Sequence, residues 1–75
     1  MSMNSLHDQQ RRTRNISRQW MNGYCSDELM SKAASALSAE YEDAATYHVD
    51  SKVLQTRYYK LAAQYANQSR NIGAY

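Results

Sequence analysis

The 75-residue chain has no proline and no phenylalanine, one cysteine and two glycines. Without proline no helix is forced to stop at a fixed point, so turns must come from glycine or from capping side chains. The lone Cys25 excludes an internal disulfide and lacks the second thiol of a redox or zinc motif. Bulky aliphatics are scarce as well: Leu, Ile and Val together number nine, against ten Ala, seven Tyr and four Met. A chain of this size buries only about 60% of its unfolded surface, which limits it to one domain and excludes a Rossmann unit or a barrel enzyme. No apolar run approaches the roughly 18 residues of a membrane span, and no hydrophobic signal-peptide core follows Met1. The expected setting is cytoplasmic, with no membrane contact.

What is present favours helix. Ala, Gln, Glu, Lys, Arg, Leu and Met dominate, and no stretch alternates apolar and polar residues as a half-buried strand would. The fold class is all-α, a single small helical domain over residues 1–75 with frayed ends at 1–4 and 73–75. A first helix is expected over Ser5–Met21. At 100° per residue, Leu6, Thr13, Ile16 and Trp20 share one narrow sector, with Arg11, Arg14 and Arg18 opposite and Arg12 at the margin. Asn22-Gly23 reads as its stop, because glycine tolerates the left-handed conformation that closes a helix. Ser26 is a fitting N-cap for a second helix, with Asp27 and Glu28 placing negative charge in the first turn.

Beyond Ser26, Met30, Ala33, Leu37, Tyr41, Ala44 and His48 recur at three- and four-residue steps. Leu54, Tyr58, Leu61, Tyr65 and Ile72 continue the rhythm, with Gln68 filling its gap. Between them Val49-Asp50-Ser51 is a candidate break, with Asp50 as cap of a third helix. Counting in sevens from Met30 passes through the break without a phase slip, so one long coiled-coil helix from Ser26 to Arg70 is the rival. Glu40, Ser51 and Gln68 would be poor seam residues. A helical hairpin with the basic helix packed across it is preferred, and because the interior is thin a homo-oligomer or a hetero-complex with a protein partner is expected to complete it.

The charge divides along the chain. Residues 1–25 hold four Arg against one Asp, whereas residues 26–75 hold five basic and six acidic residues; the whole chain is +2. Arginine forks pair with phosphate or carboxylate, and Asn and Gln can read base edges. Arg11, Arg12, Arg14 and Arg18, with Trp20 nearby, are therefore candidate partner-binding residues for protein or nucleic acid. The run Gln10-Arg11-Arg12-Thr13-Arg14 followed by Gln19-Trp20 resembles the arginine-rich peptide of lambdoid N-type antitermination proteins over about a dozen residues, with fewer basic positions. That resemblance implies RNA binding by the first helix.

Tyrosine, with its large ring and a hydroxyl that seeks water or a partner, suits interfaces better than dry cores. Tyr59 points away from the apolar stripe and is a candidate exposed contact. Met30, Leu37, Tyr41, Leu54, Tyr58, Leu61 and Tyr65 are candidate helix-packing or oligomer residues. Alanines at 33, 34, 36, 44, 45, 62, 63 and 66 leave flat surface that receives another helix. Catalytic and metal signals are weak: Glu40, Glu42, Asp43 and His48 are close in sequence but show no Glu-x-x-His or His-Glu-x-x-His spacing, and there is no Gly-rich phosphate loop. No cofactor is implied. The expected function is non-enzymatic, through protein–protein interaction as an adaptor, inhibitor or co-chaperone, in size and shape like phage-encoded modulators of host machinery. RNA binding by the arginine helix and nucleotide sequestering by a Tyr-lined oligomer are the alternatives.

Overall fold

A computed structural model describes residues 3–73 as three helices: α1 (Met3–Met21), α2 (Asp27–Tyr47) and α3 (Lys52–Gly73). No strand occurs among the described residues, so the fold is all-α, as composition and periodicity predict. Of the ends expected to fray, residues 1, 2, 74 and 75 lie outside the described residues. Met3 and Asn4 belong to α1, and Gly73 is the last residue of α3.

Each boundary has a local cause. α1 closes at Gly23, whose φ of 81° lets its N–H reach the carbonyl of Trp20 while the Tyr24 N–H reaches that of Gln19. This crossed pair satisfies carbonyls that the helix end would otherwise leave bare. Ser26 then caps α2, its hydroxyl accepting the Leu29 N–H at 3.1 Å. The break between α2 and α3 falls where the spacing suggests it, and the single long helix is excluded. The cap, however, is Ser51 and not Asp50: the Leu54 N–H points to Ser51 Oγ at 3.4 Å, and the Gln55 N–H to the Ser51 carbonyl at 2.9 Å. No glycine is needed, because His48 ends α2 with its N–H still bonded to Ala44 and its ring stacked on Tyr58 across the turn.

The helices form an open layer. α2 contacts both neighbours, whereas no Cα of α1 lies within 8 Å of α3. The dimensions are 41 × 24 × 16 Å. One broad face of α2 serves both contacts. Ala33 and Glu40 lie toward α1, Ser31, Ser38 and Ala45 toward α3, and Met30, Leu37 and Tyr41 between them. The core is small: Leu6, Leu37, Tyr41, Ala44 and Ala62 form its centre, with Tyr58, Leu61 and Tyr65 packed against it. Met30 is the largest fully buried side chain among the described residues, and most of the other buried apolar residues are alanines.

Candidate functional site

Because α1 and α3 flank α2 without meeting, the face between them is a groove. Met30, Leu37 and Tyr41 form its floor; Gln10, Thr13, Arg14 and Ser17 line the α1 side, and Tyr65 and Gln68 the α3 side. Its volume is about 450 Å³. Arg14 is the one charged residue among the described residues of this lining; the apolar floor is itself buried, so the surface that the groove presents is largely polar, and positive on one edge. Tyr41 is buried at its centre, its hydroxyl accepting from Gln10 Nε2 at 2.9 Å.

Tyr41 also belongs to a chain of aromatic rings. Tyr41 stacks against Tyr65 on one side (centroids 5.7 Å, 18° between planes) and against Tyr58 on the other (6.0 Å, 27°). Tyr58 stacks in turn on His48 at 5.5 Å, and His48 meets the edge of Tyr47 at 5.2 Å. These five rings run from the groove to the α2–α3 turn. Offset stacks of this kind add about 0.5–1.5 kcal/mol each beyond the area they bury.

The two walls are attached differently. α3 approaches α2 through small side chains: Ser38 Oγ donates to the Ala62 carbonyl at 2.7 Å, and Ser31 and Ser69 each donate to the other's carbonyl at 2.9 and 2.8 Å. α1 is held largely by polar side chains. Ser5 Oγ donates to Glu40 at 2.9 Å, the Thr13 hydroxyl to the Ala33 carbonyl at 3.4 Å, and Trp20 Nε1 to Asp27 at 2.6 Å. Leu6 is the fully buried apolar side chain that α1 adds to the core. Cys25, half-buried at the α1–α2 junction, turns its thiol toward the Ile16 carbonyl at 3.4 Å.

The residues singled out from sequence are distributed unevenly over this site. Met30, Leu37, Tyr41, Tyr65 and Arg14 come together in the groove. Tyr58 and Leu61 pack beneath it, and Leu54 is half-buried at the start of α3. Arg11, Arg12 and Arg18 are exposed on α1 outside the groove. Trp20 is separate from them, half-buried and tied to Asp27 at the first turn of α2. Tyr59 is half-exposed on α3, about 120° round the helix from Tyr65, and is not grouped with the arginines. Gln10 and Ser17 were not legible as groove residues, since polar side chains beside an apolar stripe normally face water; Gln68 shows its role only as the polar gap in the α3 rhythm. Among the described residues no three His, Cys, Asp or Glu side chains converge as a metal site would require, and no helix is long and apolar enough to cross a membrane.

No known protein family, curated protein or solved structure matches this chain.

Proposed function

We propose that the protein acts by binding, with the groove between α1 and α3 receiving an amphipathic helix of a protein partner. The observation that carries this reading is the missing contact between α1 and α3, which leaves Tyr41 and Tyr65 at the base of an open channel. A helix laid in such a channel would enter it with its i, i+3, i+4 and i+7 side chains and meet the polar rims of α1 and α3. Arg14 on the rim, with no acid in the lining, favours a partner carrying Asp or Glu beside its apolar stripe.

The nucleotide alternative is weaker on the same geometry. The volume is within the roughly 300–1,000 Å³ of small-ligand sites. Tyr41, however, is buried and already stacked with both Tyr65 and Tyr58, so it offers no free ring to a base.

Selection from a displayed library of helical peptides tests the proposal. Enriched sequences should share an apolar stripe flanked by acidic residues. Their binding should be lost in Ser17→Trp, which fills the channel, and kept in Ala39→Trp on the opposite, exposed face of α2. Peptides without helical periodicity, or binding indifferent to Ser17→Trp, would remove it.

A further inference from the structure

We propose that α1 carries a second binding surface, a row of cations that holds the phosphate backbone of a nucleic acid. His7, Arg11, Arg14 and Arg18 recur at steps of four, three and four residues. On a helix these fall within a sector of about 60°, with successive side chains roughly one turn, 5.4 Å, apart. All four are exposed. The middle of the row lies about 120° round α1 from Leu6 and Thr13, the two residues α1 buries, and Arg14, its member nearest α2, also stands on the rim of the groove. None of the three arginines is ion-paired to a described residue. Asp8 stands beside Arg11 without forming an ion pair with it, so three guanidinium groups along one line are available to an external anion.

The geometry favours phosphate over an acidic protein. Between His7 and Arg18 the row contains no apolar or aromatic side chain, whereas protein interfaces draw most of their energy from desolvated anchors of that kind. A phosphate backbone needs no anchor. Its binding is driven by release of condensed counterions, and the arginine fork matches phosphate oxygens in a bidentate way. Trp20, the aromatic nearest the end of the row, is held by Asp27, which leaves base-specific stacking without an evident reader. The expected binding is therefore weak, indifferent to sequence and steeply dependent on salt.

The fold supplies an internal control. Arg12 is exposed like the others but points about 130° round α1 from the middle of the row; it shares a shallow depression with Asp8, Asn15, Ile16 and Arg11, the row's edge on that side. It adds the same charge without extending the row.

Fluorescence anisotropy with a labelled single-stranded RNA and a labelled DNA duplex provides the test. Three phosphate contacts predict a slope of log K against log salt of about −2 for the single strand and about −2.7 for the duplex. Affinity should fall roughly 20- to 40-fold between 50 and 200 mM salt. The triple variant Arg11→Ala, Arg14→Ala, Arg18→Ala should bring the slope close to zero, while Arg12→Ala keeps most of slope and affinity. Lysine at the same three positions should keep the slope, since charge is conserved, and lose affinity with the fork. Circular dichroism on each variant separates a lost site from a lost helix. The preferred probe of the two decides whether single strand or duplex is the better ligand. No saturable binding at 50 mM salt, an unchanged slope in the triple alanine variant, or equal loss in Arg12→Ala would overturn the proposal. So would poly-glutamate competing as well as RNA, which would assign the row to an acidic protein.

Discussion

The two interfaces of α2 are built on different physics. Toward α3 the helices touch through Ser31, Ser38, Ala45, Ala62 and Ser69, small enough for the backbones to approach, with a run of stacked rings beside them. Toward α1, Leu6 is the fully buried apolar residue contributed, and the rest is a ladder of hydrogen bonds from Ser5, Gln10, Thr13 and Trp20. Each such bond contributes only about 0.5–1.5 kcal/mol net, because water competes for both partners. The hairpin is thus the stable unit and α1 the element closest to opening locally. The consequence for function is direct. The wall of the groove that carries every cation of its lining is also the wall held most lightly.

The largest expected effect is at the centre shared by both interfaces. Leu37→Ala should cost about 2–5 kcal/mol, the range for truncating a buried leucine. In a domain this small that approaches the whole stability, so urea denaturation should show a greatly lowered midpoint or no cooperative transition. A loss under about 1 kcal/mol would mean that the core is not where the structure puts it.

Next comes the close approach of α2 and α3. Ser38→Leu removes the bond to the Ala62 carbonyl and forces extra volume between the helices, at an expected cost of about 1–3 kcal/mol. If this variant is as stable as the parent, small-residue packing does not hold the hairpin together.

The contrast between the interfaces is tested most directly by hydrogen exchange. Amides of α1 between Leu6 and Ile16 should exchange faster than those of α2 between Met30 and Ala45, through sub-global opening. Leu6→Ala should widen that gap by speeding α1 far more than α3. Uniform protection across all three helices would show that α1 is not separable.

The smallest effects lie at the surface. Trp20→Phe keeps the ring and removes the donor to Asp27, so a loss of about 0.5–1.5 kcal/mol is expected in thermal unfolding. Lys32→Ala, which breaks the exposed pair with Glu28 at 3.2 Å, should cost no more than about 0.5 kcal/mol.

Much of the fold is legible in the sequence because its signals are local. Gly23 and Ser26 mark their own turns, and the three- and four-residue recurrence from Met30 to Ile72 marks the buried faces of α2 and α3. The cap at Ser51 was harder to read, since Asp50 and Ser51 are both good capping residues and differ only in which one the backbone brings to the Leu54 N–H. The site was half legible. Met30, Leu37, Tyr41 and Tyr65 announce themselves by periodicity, whereas the placement of Arg14 at the rim, apart from Arg12, depends on how α1 is rotated against α2. Sequence proximity likewise grouped Trp20 with the arginines, and a single contact with Asp27 separates them.

Composition and periodicity by themselves determined that the chain is helical, that its interior is thin, and that positive charge gathers near the start. These follow from short-range preferences and from counting. Whether three helices close on one another or lie open was decided only in three dimensions. That outcome rests on the width of the buried face of α2, which holds one neighbour at each edge and leaves Tyr41 between them under an uncovered channel.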